Sequence, residues 1–510
     1  MSDQLALLPE YLTAHLELTL FALAAGILLS IPLGVAVHCT PRMERPVLGV
    51  ASLIQTIPSL ALLAVMVAAL AALGMQSIGF LPAFIGLTLY SLLPILRNTV
   101  TGLSQVAPSL IEAARGVGMT RRQRLWLVEL PLALPVIVAG IRTATVWTVG
   151  MATLSTPVGA ASLGNYIFSG LQTRNLTAVL VGCVAAALLA LLLDGLVGGL
   201  AVAVEHRKRR LGAVILGVIA ALYVLTGATA ARGWLDRGEQ PVRVGAKPYT
   251  EQYVLSEILA GQIRRTNGLP VEVISSLGSI VAFDALATDQ IDAYVDYSGT
   301  VWATIMHRES TPDSRDSVLV EMARYLEDER GVLFVGALGY ENTYALAMRR
   351  TESQRLGVSR IRDLVPIAAN LSLGADFEFF DRREWRDLVD VYGLGFREHR
   401  NMDPSLMYAA VANGDVDVIT AYSTDGRIEA FDLALLEDDE GAFPPYDAVI
   451  LASARLGRER PEAVDTLRAL VGQINADQMR RLNGRVDQGG ETAAAVAAAF
   501  LDNLDPAETP

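Results

Sequence analysis

The sequence predicts an α-helical transmembrane unit followed by a two-lobed α/β unit. Apolar residues make up 52% of the 510 residues, which is high for a wholly soluble protein. Most of the acidic residues behind the net charge of −13 lie after residue 231, whereas the first part of the chain is slightly basic. After residue 241, short strand patterns alternate with helical patterns, which is typical of an α/β fold. The chain is therefore expected to combine a membrane part with a soluble part.

Six apolar stretches in the first part are long enough to cross a bilayer, which takes about 20 residues. They run over 15–38, 47–73, 78–96, 132–155, 176–204 and 211–231. The first has an acidic front and no basic segment before it, so we interpret it as a retained helix rather than a signal peptide. Prolines inside the spans, such as Pro58, are expected to act as tolerated kinks. We expect a transmembrane domain of five spans over 1–210 and a sixth helix at 211–231.

Arginine and lysine residues are concentrated in alternate loops. The loops after spans one, three and five carry nearly all of them, whereas the loops after spans two and four carry only Arg174. Because such residues favour the cytoplasmic side, these three loops are expected to face the cytoplasm. The N-terminus and everything after span six are then extracytoplasmic. Segment 112–131 falls on the cytoplasmic side.

The second part begins after a short polar linker, 232–241. Its first block contains three strand candidates and a helical pattern that ends at Gly268; the strands are 242–246, 271–275 and 291–297. A second block spans about 346–445, and its clearest strand is 415–422. Segments 332–345 and 446–452 are expected to cross between the blocks. The sequence therefore predicts, over 242–510, two lobes with mostly parallel sheets and a cleft between them.

Segment 112–131, EAARGVGMTRRQRLWLVELP, is polar and lies between apolar spans. Its characteristic residues are Glu112, Ala113, Ala114 and Gly118, followed by Val128 and then Leu130-Pro131. This spacing resembles the EAA loop of ABC-importer permeases, the cytoplasmic helix-turn-helix that docks on a separate ATPase. A basic amphipathic loop is the simpler alternative.

The resemblance implies an ATPase partner at this loop and a second permease copy, with a homodimer expected. We expect a helix from Ser109 to about Arg115, a sharp turn at Gly118 and a helix end at Pro131. Glu112 is expected to make the defining polar contact. The chain has only two lysines, Lys208 and Lys247, and neither lies in a phosphate-binding loop. ATP is therefore expected to be used by the partner, and no cofactor or metal of the chain's own is expected.

Several motifs of the second part resemble binding domains for quaternary ammonium compounds such as glycine betaine, choline and carnitine. They are VGAKPYTEQYVLSEILA, DAYVDYSGT, ENTYALAM, EFFDRREW, AYSTDGRIEAFDLALLEDD and FPPYDAV. Related domains bind ergothioneine, and a permease fused to such a domain occurs among osmoprotectant importers. The resemblance implies a bacterial inner-membrane importer. Its cage tyrosines fall on Tyr297, Tyr344, Tyr422 and Tyr446.

The same resemblance assigns polar contacts around the cage. Thr300 is expected to bond a ligand oxygen, and Lys247 and Arg382 match basic positions that hold a carboxylate. Gln252 is a further polar candidate. Arg383 stands next to Arg382, and the choice between them stays open.

Other interpretations remain for the whole chain. Tyrosines are often half-buried core residues, so the cage depends on all four falling at matched motif positions. The transported solute could instead be another small amphipathic compound or an amino-acid derivative, or the chain could be a membrane receptor that transports nothing. An enzyme is disfavoured because only His307 and His399 lie in the soluble half and no nucleophile–base pair is evident. No nucleic-acid partner is expected, and which trimethylammonium compound binds stays open.

Overall fold

The computed structural model describes residues 7–173, 175–206, 208–235, 240–308, 315–376, 379–381, 383–402 and 404–504. The described chain forms two compact units: residues up to 240 together with Ser275–Val281 form the first, and the remaining residues from 241 onward form the second. The predicted linker 232–241 is described only in part, because residues 236–239 lie outside the described residues. Its first residues, up to Leu235, continue the preceding helix.

The first unit is helical. Five of its helical segments are long and apolar enough to cross a membrane, among the residues that the structure describes. The helices are α1 (Leu8–Cys39), α2 (Glu44–Thr56), α3 (Ser59–Ala72), α4 (Phe80–Ser104), α5 (Pro108–Gly116), α6 (Arg121–Arg124), α7 (Leu130–Ala152), α8 (Gly164–Gln172), α9 (Leu176–Glu205) and α10 (Arg209–Leu235). Short 3₁₀ turns at Pro41–Met43 and Thr153–Val158 and a π-helical turn at Leu125–Glu129 complete them. The unit is therefore a multi-span membrane domain.

The predicted span 47–73 is not a single kinked helix. It consists of α2 and α3, which are bent by 100° at a short break. The break falls at Ile57, whose backbone is extended, with φ −69° and ψ 128°. Ile57 precedes Pro58, and the proline ring disfavours helical backbone at the residue before it. The proline therefore separates two helices where the sequence predicted a tolerated kink.

Helix α4 packs between α1 and α7 through small residues. A Cβ added at Gly34 of α1 would lie 2.6 Å from the Thr99 side chain, and one at Gly140 of α7 would lie 2.5 Å from Asn98 Cβ. Small residues at such crossings allow close helix packing in a membrane. Because the segment after α4 leads into α7, this packing fixes both ends of the predicted coupling loop.

The second unit contains two five-stranded sheets, one in each lobe. The first lobe has the strand order β2-β1-β3-β10-β4 and the second β7-β6-β8-β5-β9. The strands are β1 (Val242–Gly245), β2 (Val271–Ile274), β3 (Ala293–Tyr297), β4 (Val332–Glu341), β5 (Tyr344–Arg349), β6 (Ser372–Ala375), β7 (Glu398–Asn401), β8 (Val418–Tyr422), β9 (Leu433–Leu436) and β10 (Asp447–Ser453). The two-lobed α/β architecture predicted from the sequence is confirmed.

Helices cover both sheets. They are α11 (Thr250–Asn267), α12 (Ser279–Ala287), α13 (Ser298–Thr300), α14 (Arg315–Arg330), α15 (Arg350–Leu356), α16 (Ile361–Leu364), α17 (Arg383–Tyr392), α18 (Pro404–Asn413), α19 (Arg427–Ala430), α20 (Ala454–Glu459), α21 (Pro461–Arg468), α22 (Ala476–Asp487) and α23 (Ala493–Asp502), with a π-helical turn at Val301–Ile305 and 3₁₀ turns at Ala368–Asn370 and Phe379–Asp381. Helix α11 ends as predicted, because Gly268 takes the left-handed conformation with φ 68°. Helices α11 and α21–α23 pack on the first sheet and share its core.

The sheets are mixed rather than mostly parallel. Strand β1 runs parallel to β2 and β3, and β6 runs parallel to β7 and β8. Strand β10 is antiparallel to both of its neighbours, and so is β5. These two strands carry the chain into a lobe from the other one. A strand that enters its sheet from the opposite lobe lacks the right-handed crossover that makes strands parallel.

The chain passes between the lobes twice. It leaves the first lobe after β4, crosses at Asn342–Thr343 into β5, and returns between β9 and β10 through residues 437–446. All seven residues of β10 are buried. Ligands of open α/β sheets bind at the carboxyl ends of the strands. In this unit the relevant ends are those of β1, β3 and β8. The candidate site residues follow these strand ends.

Candidate ligand-binding cleft and coupling loop

Tyr297 ends the fully buried strand β3 and is itself 4% exposed. Its hydroxyl donates to Glu251 Oε1 at 2.6 Å and accepts from Gln252 Nε2 at 3.3 Å. Burial raises the pKa of the Tyr297 phenol well above 10, and the negative charge of Glu251 adds to the shift. The phenol is therefore a neutral, fixed hydrogen-bond donor, and predicted residue Gln252 lies beside it.

A further ring lies against Tyr297. Tyr249 stacks on it with ring centroids 6.3 Å apart and an angle of 30° between the planes. Desolvation raises the pKa of the Tyr249 phenol, and Tyr422 of the second lobe is among the groups that add to this shift. Tyr249 was not predicted as a site residue from the sequence.

Lys247 follows β1 and is buried. Its Nζ forms an ion pair with Asp296, whose second oxygen accepts a hydrogen bond from the Tyr294 hydroxyl at 2.5 Å. The same Nζ lies 5.8 Å from the centre of the Tyr297 ring. The lysine charge thus already has a carboxylate partner within the protein, as buried charges require. Contact between Lys247 and a ligand carboxylate stays a prediction.

Tyr344 and Tyr422 form a pair in the second lobe. Tyr344 begins β5, Tyr422 ends β8, and the two residues stand directly opposite each other in the antiparallel register. Their ring centroids are 4.9 Å apart, and the Tyr422 hydroxyl donates to the Tyr344 hydroxyl at 3.1 Å. Tyr344 is buried, whereas Tyr422 is 44% exposed. The pair is held by the sheet and presents one accessible ring.

Tyr446 lies at the end of the returning segment between the lobes. Its ring lies so close to Gly299 that a Cβ on that glycine would come within 2.6 Å of it. Its hydroxyl donates to Glu384 Oε1 of the second lobe at 3.2 Å. A cavity of about 190 Å³ adjoins it, lined among others by Trp302 and Arg383. Tyr446 therefore contacts both lobes.

The remaining predicted ligand contacts are Thr300 and one of the two arginines Arg382 and Arg383. Thr300 ends the helical turn α13, just after Tyr297, and is half-buried. Arg382 lies outside the described residues. The guanidinium of its neighbour Arg383 donates to Asp387 Oδ2 at 3.0 Å. The structure thus brings Tyr297, Gln252 and Lys247 together in the first lobe and pairs the two tyrosines of the second lobe.

Glu251 is a central residue of this cleft that the sequence analysis did not include. It is 3% exposed and accepts hydrogen bonds from side chains of both lobes. The available signal was its position in the YTEQ segment, immediately before Gln252. Nothing in a linear pattern distinguishes such a buried carboxylate from an exposed glutamate at a helix start.

The predicted coupling loop contains a short helix followed by a turn. Helix α5 runs Pro108–Gly116, and Gly118 takes φ 81°, a conformation that favours glycine. Glu112 and Ala113 are exposed, whereas Ala114 is buried. The exposed face of the loop is therefore open to contact by another protein. The role of Glu112, Ala113, Ala114 and Gly118 in contacting an ATPase stays a prediction.

The second half of the loop differs from the prediction. Pro131 does not end a helix, because Arg121–Val158 forms one continuous helical segment. The proline lies in the first turn of α7, directly after the π-helical turn Leu125–Glu129. Inside a continuous segment the proline removes one helical hydrogen bond, and the π-helical turn directly before it is where the helix departs from regular α geometry. Glu129 of this turn is buried and pairs with Arg124 and His38, which ties the loop to the end of α1.

These features define a class of protein. A multi-span helical unit carries an exposed helix-turn loop of EAA spacing, and a two-lobed α/β unit follows it with a pair of tyrosines in each lobe. Together they describe the permease of an ABC importer fused to its own substrate-binding domain.

The chain belongs to the family of ABC-type glycine betaine transport systems. Residues 240–503 match the substrate binding domain of that family, and residues 26–237 match the inner membrane component of binding-protein-dependent transport systems. The resemblance to osmoprotectant importers with a fused binding domain is confirmed. The chain is accordingly a membrane protein of a transporter family rather than of an enzyme family.

Relatives cover both parts of the chain. It is 31% identical over 490 residues to the ergothioneine transport permease/ergothioneine binding protein EgtU of Helicobacter pylori strain G27, covering 92% of this chain and 86% of that protein. Its first part is 42% identical over 180 residues to the glycine betaine/carnitine/choline permease OpuCB of Bacillus subtilis strain 168, covering 35% of this chain and 80% of that protein. Its second part is 30% identical over 264 residues to the carnitine transport binding protein OpuCC of Listeria monocytogenes, covering 51% and 85%.

Proposed function

We propose that this chain captures a trimethylammonium compound in a tyrosine cage and carries it across the membrane, using ATP hydrolysed by a separate subunit. The observation that supports the proposal is a pair of tyrosines in each lobe, with Tyr297 and Tyr249 stacked in the first and Tyr344 and Tyr422 paired in the second. Tyr446 contacts both lobes.

The chemistry of the ligand fits these side chains. A trimethylammonium group has no proton to donate, and its charge is spread over methyl groups. Aromatic faces attract such a cation through their quadrupole, most strongly where water is excluded. The phenol of Tyr297 stays neutral because burial raises its pKa, so the ring presents a face without a formal charge. The lobes close on the ligand by a hinge movement.

The ligand class is glycine betaine, choline, carnitine or ergothioneine. All four carry the trimethylammonium head, and they differ in the group beyond it. Thr300, Gln252, Lys247 and Arg382 are the polar residues assigned to that group. Two relatives are named as an ergothioneine and a carnitine transport protein, which supports a trimethylammonium ligand. The names leave open which of the four compounds this chain binds.

Transport requires partners. The exposed Glu112 and Ala113 on α5 support docking of an ABC ATPase at the loop 112–131. Such permeases act in pairs, so a second copy of this chain completes the translocation path. The distribution of arginines supports a cytoplasmic position for this loop and an extracytoplasmic position for the second unit.

Titration calorimetry of the full-length chain in lipid nanodiscs tests the ligand class. We expect at least one of the four trimethylammonium compounds to bind with a Kd of about 100 μM or less, whereas glycine, which lacks the N-methyl groups, does not compete. Proline binding in place of all four compounds would show that the solute is an amino-acid derivative. Uptake of the bound compound into proteoliposomes that contain an ABC ATPase then distinguishes a transporter from a receptor.

A further inference from the structure

Glu251 is a buried carboxylate whose two oxygens are surrounded by hydrogen-bond donors. Oε1 accepts from the Tyr297 hydroxyl at 2.6 Å, the Tyr340 hydroxyl at 2.9 Å and Asn342 Nδ2 at 3.2 Å. Oε2 accepts from the Thr424 hydroxyl at 2.5 Å and Asn483 Nδ2 at 3.0 Å. Five donors exceed the roughly four lone-pair sites of a carboxylate, so both oxygens of Glu251 are fully used as acceptors.

The donors come from different parts of the fold. Tyr297, Tyr340 and Asn483 belong to the first lobe, as does Glu251 itself at the start of α11. Asn342 lies in the segment that crosses between the lobes. Thr424 belongs to the second lobe. One side chain therefore connects both lobes and the crossing between them.

The connection involves the proposed cage directly. Tyr297 is the first-lobe cage residue, and Thr424 follows the second-lobe cage residue Tyr422 by two positions. The distance between Glu251 and Thr424 therefore limits how far the end of β8 can move from the end of β3. A link of this kind restricts how far the lobes can separate before they close on a ligand, which lowers the ordering cost of binding.

Neighbouring contacts reinforce the same junction. Asn483 Nδ2 also donates to the Thr424 carbonyl oxygen at 2.9 Å, and Arg480 donates to the Ser423 carbonyl oxygen at 2.6 Å. Gly426 packs so closely on α22 that a Cβ there would lie 2.6 Å from the Gly484 nitrogen. The loop after β8 is thus in contact with the first lobe along its length.

We propose that Glu251 is a positioning residue that sets the separation of the two lobes and thereby the geometry of the cage. It does not contact the ligand. Its carboxylate holds the Tyr297 hydroxyl on one side and the loop after Tyr422 on the other. The inference rests on the proposed function only for the identity of the ligand, because the link between the lobes is a property of the protein alone.

The test compares Thr424→Val, which removes the donor from the second lobe, with Tyr340→Phe, which removes a donor to the same carboxylate from the first lobe. Thr424→Ser keeps the hydroxyl and serves as the rescue. Glu251→Gln replaces one acceptor oxygen with a donor. All variants are made in the full-length chain, so that a failure of Glu251→Gln to fold leaves the other three decisive.

Lobe separation is measured without ligand, by electron–electron distance measurements between spin labels in nanodiscs. The labels are placed at Glu462→Cys in the first lobe and Asp390→Cys in the second, both exposed positions, with Cys39 and Cys183 replaced by serine. Ligand affinity is measured on the same variants without labels. Thermal unfolding reports whether each variant is folded.

We expect Thr424→Val to broaden and shift the distance distribution and to raise the ligand Kd about tenfold, because the lobes are then no longer held at the separation that suits the ligand. Thr424→Ser should restore both, and Tyr340→Phe should lower the unfolding temperature without changing the distances. An unchanged distribution in folded Thr424→Val overturns the inference. If the parent chain binds no trimethylammonium compound, the proposed function fails, and the distance measurements still decide the role of Glu251.

Discussion

Tyr422 allows the cage to be tested with little disturbance of the fold. It is 44% exposed, whereas Tyr297 and Tyr344 are 4% and 6% exposed. Replacing it with alanine removes its ring contact with Tyr344. Such a contact contributes on the order of 1 kcal/mol, so the free energy of unfolding should change by about that amount. The ligand affinity should change more.

The expected loss of affinity follows from the ring. A desolvated cation–π contact contributes about 1 to 2 kcal/mol, so Tyr422→Ala should raise the Kd of a trimethylammonium ligand by about 5- to 30-fold. Tyr422→Phe keeps the ring and removes the hydroxyl that donates to Tyr344 at 3.1 Å. The loss of this hydrogen bond should lower the free energy of unfolding by about 1 kcal/mol or less, because the bond is neutral and lies at a half-exposed position.

The measurement is calorimetric titration of the full-length variants, with thermal unfolding as the check on folding. Tyr325→Ala serves as the matched control, because the Tyr325 hydroxyl contacts the Ile305 carbonyl oxygen in the first lobe and no cage residue. Its affinity should equal that of the parent chain. The cage assignment is refuted if folded Tyr422→Ala binds within about twofold of the parent, or if the alanine and phenylalanine variants lose the same affinity.

Three further predictions concern other parts of the molecule. Glu112→Ala should abolish ligand-stimulated ATP hydrolysis in proteoliposomes that contain the ATPase and leave the ligand affinity unchanged. Glu44→Ala, which replaces another exposed glutamate, should retain both the hydrolysis and the affinity. Equal behaviour of the two variants would contradict the loop assignment. Arg142 pairs with Asp194 through two bonds of 2.5 and 2.6 Å between spans. Arg142→Ala should lower the unfolding temperature in detergent because an unpaired charge in a span is costly, and Arg142→Asp combined with Asp194→Arg should recover most of it; no recovery would argue against the pair. The pKa of Tyr297 is raised above that of an unfolded tyrosine, so the free energy of unfolding should fall as the pH rises beyond about 10. The ligand affinity should stay constant between about pH 7 and about pH 9. Absorbance of ionised tyrosine follows the first change, and ligand titration follows the second.

Much of the architecture follows from local patterns. Apolar length identified the membrane segments, and alternation of strand and helix identified the two lobes. The break at Ile57 was missed because a proline inside an apolar stretch is compatible with either a kink or a new helix, and tertiary packing selects between them. The antiparallel direction of β5 and β10 was missed because direction depends on which lobe the chain comes from.

The site residues also divide into those that sequence motifs predicted and those that only the folded structure reveals. Tyr297, Tyr344, Tyr422 and Tyr446 were named from motif positions, and all four stand at the first or last residue of a strand or just before one. Glu251 could not be named in that way, since its five donors come from positions up to 232 residues away in the chain. Convergence of this kind is a tertiary property that no local spacing contains.

The pairing of Lys247 with Asp296 has a practical consequence. The chain has only two lysines, and the other, Lys208, is exposed in the first unit. An amine-reactive reagent therefore meets Lys208 in the folded protein, whereas Lys247 is shielded by burial and by its carboxylate. Modification of Lys247, followed by mass spectrometry, thus reports the opening of the first lobe without any introduced label. The same chain supplies its own internal standard in Lys208.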